Sequence, residues 1–95
     1  MAKQLLPSHS DLQRQAKDYL RLRGWAVMHH QAGFGTYKGI SDLSAIKDGR
    51  TIYVEVKAGK DELRKDQREF RDMIEAQGGT FIEYRRLEDL IEKGI

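Results

Sequence analysis

The spacing of apolar residues divides the chain into short elements with clear ends. Leu12, Ala16, Tyr19 and Leu20 recur at helical spacing. Pro7-Ser8 reads as a start signal and Ser10-Asp11-Leu12-Gln13 has the spacing of a capping box, so a helix is expected to about Arg23, where Gly24 ends it. Residues 1 to 8 form a frayed lead. Trp25 to His30 is a short strand. Leu43 to Val56 alternates around Asp48-Gly49, a strong hairpin signal. A second helix is expected from about Glu62 to Gln77, with Leu63, Phe70, Met73 and Ile74 inward, and Gly78-Gly79 stops it. Thr80 to Tyr84 is a further strand, and Leu87 to Glu92 a short closing helix.

With Asp48 and Gly49 as the hairpin loop, Lys47 faces Arg50 and Leu43 faces Val54. Leu43, Ala45, Ile52 and Val54 then share one face, made for a core. Asp42, Ser44, Ile46, Thr51, Tyr53, Glu55 and Lys57 share the other, because strand side chains alternate. Asp42 lands opposite Glu55, with Cβ atoms about 5 Å apart, where like charges repel. A divalent cation gives such a pair a purpose, since Mg²⁺, Mn²⁺ and Ca²⁺ prefer carboxylate oxygens. The bland alternative has Asp42 capping a loop and Glu55 paired with Lys57 on a wet edge. Gln67 sits in the apolar row of the second helix and needs hydrogen-bond partners there. Backbone groups in the core could satisfy it, but the Asp42 and Glu55 cluster is the favoured partner, because this helix follows the strand that carries Glu55.

Composition narrows the class. The chain has 95 residues, 39% hydrophobic and 34% charged, which fits one soluble globular domain over residues 1–95. No run approaches the ~20 apolar residues of a membrane span, and the first residues lack the apolar run of a signal peptide. The absence of cysteine excludes disulfides and thiolate metal sites, and is compatible with a cytoplasmic location. A net charge of +2 leans only weakly towards an anionic partner. Arg14, Lys17, Arg21 and Arg23 read first as a solvated helix face and second as phosphate contacts. His29 and His30 are strand neighbours and point to opposite faces, so they cannot both serve one site. Residues 31–41, QAGFGTYKGIS, carry three glycines with Phe34, Tyr37 and Lys38 between them. No following helix or Gly-Lys-Ser/Thr makes this a P-loop. It reads equally as a plain connection or as a loop that touches nucleic acid through Tyr37 and Lys38, with Lys60 in the later turn as a further contact.

The order helix, three strands, helix, strand, helix resembles the αβββαβ core of the PD-(D/E)XK nuclease superfamily, with a short C-terminal helix added. Gly39-Ile40-Ser41-Asp42-Leu43, Val54-Glu55-Val56-Lys57, Asp66-Gln67 with Phe70, and Gly78-Gly79 carry the resemblance. It is most similar to the VRR-NUC branch, in particular its small stand-alone viral or prophage type. The resemblance implies a Mg²⁺-dependent endodeoxyribonuclease, with Mn²⁺ able to substitute, acting on branched DNA such as a Holliday junction as a homodimer. Asp42, Glu55 and the main-chain carbonyl of Val56 would hold the metal, and Lys57 and Gln67 would complete the catalytic set. Two departures stand out. Ser41 replaces the usual proline, and helix 1 offers His9 or Asp11 where relatives carry a glutamate. The competing function is a DNA-binding module, or a subunit of a repair or packaging complex, that keeps the fold without catalysis.

Overall fold

The computed structural model describes residues 6–31, 33 and 35–95, so Phe34 and the first five residues of the expected lead lie outside it. The elements run α1 (His9–Leu22), β1 (Ala26–His29), β2 (Leu43–Lys47), β3 (Arg50–Val56), α2 (Lys65–Ala76), β4 (Thr80–Tyr84) and α3 (Glu88–Ile91). Four strands form one sheet in chain order. The β1–β2 and β2–β3 pairs are antiparallel, whereas β3 and β4 are parallel, and α2 carries the crossover that a parallel pair requires. This is the αβββαβ core, closed by a short helix. No described helix is long and apolar enough to cross a membrane.

The hairpin has the register read from the sequence. Leu43 pairs with Val54, Ala45 with Ile52 and Lys47 with Arg50. Asp48 and Gly49 both take positive φ, 51° and 79°, as a two-residue turn matching the strand twist requires. The sheet is covered on both faces. On one, Leu12, Ala16 and Leu20 of α1 and Leu90 of α3 pack against Leu43, Ile52, Val54 and Ile82. On the other, Phe70 of α2 and Leu63 pack against Tyr53 and Phe81. Asp42, Glu55 and Lys57 are therefore not on a wet edge; they share the α2 face of the sheet. Trp25, Phe81, Tyr84 and Ile95 are all buried within the subunit, so none of them is free to serve an interface.

Two boundaries move, the first for a local reason and the second for a tertiary one. The capping box is formed by Ser8 and Asp11, not by Ser10 and Gln13. The Asp11 N–H donates to Ser8 Oγ and the Ser8 N–H to Asp11 Oδ2, both at 3.1 Å. Both pairs have the right spacing, but the anionic side chain at the third helical position is the better match to the helix N-terminus. Consequently His9 becomes the first residue of α1. The second helix starts at Lys65 instead of Glu62, because the preceding stretch is tied down as a loop. Arg85 Nη1 donates to the Gly59 carbonyl at 3.0 Å, its Nη2 donates to the Asp61 carbonyl, and its Nε donates to Glu83 at 2.8 Å. Leu63 still reaches the apolar layer, but from this loop.

Candidate active site

The site lies where the chain enters β2 and leaves β3. Buried Ser41 holds the approach by donating from Oγ to the Leu43 carbonyl at 2.7 Å. Gly39, at φ +80°, packs so closely on α2 that a Cβ there would sit 2.1 Å from the Asp66 carbonyl oxygen. Only glycine permits that approach. It pins the loop before Asp42 to the first turn of α2, which carries Gln67.

Asp42 and Glu55 meet through hydrogen bonds as well as proximity. The Asp42 N–H donates to Glu55 Oε1 at 3.1 Å, and the Val56 N–H donates to Asp42 Oδ2 at 2.8 Å. Gln67 Nε2 donates to Glu55 Oε2 at 3.0 Å, and Lys57 Nζ lies 3.6 Å from the same oxygen. The Gln67 amide has a defined orientation, because its Oε1 accepts from the Arg64 N–H at 2.9 Å. Glu55, Lys57 and Gln67 are 3%, 8% and 5% exposed, whereas Asp42 is partly open. The cluster thus has a buried end and a mouth.

At the mouth stands His9, whose Nε2 is 3.2 Å from Asp42 Oδ2. Asp11 does not reach the site. Its carboxylate is engaged by Ser8, whose backbone N–H holds it below its ordinary pKa. Of the two helix-1 candidates, the fold brings only His9 to the carboxylates. Val56 meets Asp42 through its N–H. Tyr37 and Lys38 lie on the exposed loop beside α2, and Lys60 in the loop held by Arg85, all outside the carboxylate cluster. His30 packs on the sheet, its Nε2 2.7 Å from Ser44 Oγ, while His29 is exposed. Sequence reasoning missed Arg85. The signal available was the parallel register, since pairing Glu55 with Glu83 places Arg85 beside Lys57.

Burial, and secondarily the Asp42 charge, push Glu55 up to about 7 from its ordinary 4.5, against the opposing pull of Lys57. Between those two values the folded chain binds a proton that the unfolded chain has lost, so stability without divalent ions falls as pH rises. The penalty reaches about 3 kcal/mol above pH 7. Melting in EDTA is expected to show a decline from pH 5 to pH 8 that Glu55→Gln flattens. An equal decline in that variant would place its origin elsewhere.

Among the described residues, no group of three or more His, Asp or Glu side chains forms a ready-made metal centre. Instead there is a pair of carboxylates with one neighbouring ammonium, a hard-oxygen donor set with surplus negative charge. That chemistry fits a divalent cation whose remaining positions are filled by water.

The family described as archaeal Holliday junction resolvase (Hjc) matches residues 8–84, from the cap of α1 to the end of β4. No curated protein matches the chain. The matching family shares its superfamily with the VRR-NUC branch that the motifs resemble. With the αβββαβ core and a match over most of its length, the chain belongs to the archaeal Holliday junction resolvase family of PD-(D/E)XK nucleases.

Proposed function

We propose that this chain is a divalent-metal-dependent endonuclease that cuts branched DNA, the four-way junction foremost, and that it acts as a homodimer. The family supports the substrate class. The observation that carries the chemistry is the hydrogen-bonded unit of Asp42, Glu55 and Gln67 with the Lys57 ammonium 3.6 Å from Glu55, buried at one end and open at the other. Binding alone does not require two carboxylates beside a polyanion. A cytoplasmic location is consistent with such a substrate. Kinship within the superfamily to the small stand-alone VRR-NUC proteins is supported by the order of the motifs from Gly39 to Gly79.

Asp42, Glu55 and the Val56 carbonyl would hold Mg²⁺, with Mn²⁺ able to substitute. Such an ion, when bound, polarises a phosphate and lowers the pKa of a bound water. The chain's own groups do the rest. Gln67, oriented by the Arg64 N–H, keeps Glu55 Oε2 in place. Lys57 presents a fixed ammonium from inside the site, where it orients a water or offsets charge developing on the phosphate. The Val56 N–H and His9 fix the Asp42 carboxylate at the mouth.

Duplex arms need more surface than one copy offers, since specific DNA interfaces bury roughly 1,000 Å² or more. A two-fold pair doubles that surface and spaces two sites for paired cuts. Met28 and Ile46, exposed on the sheet, are apolar surface left for a second copy. A junction with labelled arms, set against a linear duplex in Mg²⁺ and in EDTA, tests this reading alongside light scattering. Paired cuts in the junction, none in EDTA, and a mass twice the 11.0 kDa of the chain are expected. A monomer that degrades duplex as readily as junction would refute the reading. Binding without cleavage in any divalent metal would favour the non-catalytic module, for which His9 in place of a helix-1 glutamate is the argument.

A further inference from the structure

Three adjoining hollows, of about 210, 240 and 440 Å³, lie where the loop before Asp42 packs onto the first turn of α2. Lys38 and Asp66 line all three, and Asp42, Glu55 and Lys57 line none. The hollows nevertheless share a frame with the carboxylates. Asp66 forms their wall, and the next residue, Gln67, donates to Glu55. The contact of Gly39 with the Asp66 carbonyl locks loop and helix together.

Tyr37 stands over this surface with 60% of its area exposed. Its ring meets that of buried Phe70 edge to face at 5.7 Å, and Phe70 is held in turn by Tyr53 at 5.4 Å and Phe81 at 6.2 Å. An exposed aromatic ring backed by a packed cluster is a stacking platform that loses little freedom on binding. The charges around it are divided. Lys38, Arg64 and Lys65 are exposed cations, while the carboxylates of Asp66 and Glu69 lie between them. Arg64 Nε is 3.4 Å from Asp66 Oδ1, an exposed pair that opens at little cost.

Carboxylates repel a phosphate but accept from N–H groups, and nucleobase edges present such donors. We propose that the hollow binds one unpaired base of the DNA substrate at the branch point. The base stacks on Tyr37 with its N–H edge towards Asp66 or Glu69, and its flanking phosphates meet Lys38 and Arg64. A base inside a duplex has both faces stacked, whereas an unpaired base is extruded at much lower cost, so the hollow selects against uninterrupted duplex. The inference rests on DNA being the substrate, as proposed above, and adds what distinguishes a branch from an arm.

The test is binding in EDTA, which reads no cleavage, with three probes: a linear duplex, a fully paired four-way junction, and the same junction with one unpaired 2-aminopurine at the branch. Wild type is expected to quench the 2-aminopurine and to prefer the unpaired junction. Tyr37→Ala should lose the quenching and about tenfold of that preference, and Tyr37→Phe should retain both. Unchanged quenching in Tyr37→Ala, or an equal loss of affinity for all three probes, would overturn the base site while leaving the nuclease reading intact. Failure of wild type to bind any of the probes would overturn both.

Discussion

Asp42→Asn and Glu55→Gln are each expected to lower metal-dependent cleavage by roughly a thousandfold or more, with the fold and junction binding kept. The two variants should differ in the stability of the metal-free protein. In Asp42→Asn the amide oxygen can still accept from the Val56 N–H while its nitrogen takes the open position. Removing the charge also relieves Glu55, whose raised pKa owes part of its rise to Asp42. Its melting temperature in EDTA should hold or increase. In Glu55→Gln both side-chain positions already receive donors, from the Asp42 N–H and from Gln67 Nε2. Gln67 cannot turn to help, because its oxygen is engaged by the Arg64 N–H. The new amide nitrogen therefore faces a donor either way, at a cost of about 1–3 kcal/mol. That loss roughly cancels the relief from burying a charge, leaving this variant near wild type at pH 8 and below it at pH 5. Single-turnover cleavage of a labelled junction, with melting in EDTA at the two pH values, checks both parts. Cleavage at the wild-type rate by either variant would remove that carboxylate from the site.

The hairpin was the most legible part of the chain, because a two-residue turn leaves no freedom once Asp48-Gly49 is recognised. From that register the meeting of Asp42 and Glu55 follows by counting. Gln67 was legible for a different reason: an amide in an apolar helical row must be satisfied, and the adjoining strand supplied the partner. Where local rules compete, sequence alone does not choose. Ser8 with Asp11 and Ser10 with Gln13 satisfy the same capping pattern, and the choice decides whether His9 belongs to the lead or to the helix turn that meets Asp42. The start of α2 falls later than the pattern predicts because Arg85 holds the carbonyls of Gly59 and Asp61, a tertiary clamp with no local signature. The contact between Gly39 and the Asp66 carbonyl is equally silent in sequence, where a glycine before the aspartate reads only as loop flexibility. The motifs reached the superfamily, but the branch within it rests on features spread over the whole chain.

Lys57→Ala should separate rate from binding. The residue is 8% exposed, its strand is anchored by the Lys57 N–H donating to the Tyr84 carbonyl at 3.0 Å, and its ammonium lies 3.6 Å from Glu55 Oε2. A cation in that position interacts with DNA only at the reacting phosphate. The chain carries 17 Lys and Arg residues, so deleting one removes at most one phosphate contact and about one unit of salt dependence. Loss of a fixed charge facing the developing charge of the transition state is larger, roughly a hundredfold to ten-thousandfold in the single-turnover rate. Removing the ammonium also withdraws the attraction that opposes the rise in Glu55, so the metal-free variant should hold its proton to a higher pH than wild type. Lys57→Arg should recover little, because a planar guanidinium must enter a nearly closed space shaped for an ammonium. Rates measured at saturating protein, set beside affinities measured in EDTA, give the ratio directly. Equal losses in the two would make Lys57 an ordinary phosphate contact and would leave the carboxylates without a charged catalytic partner.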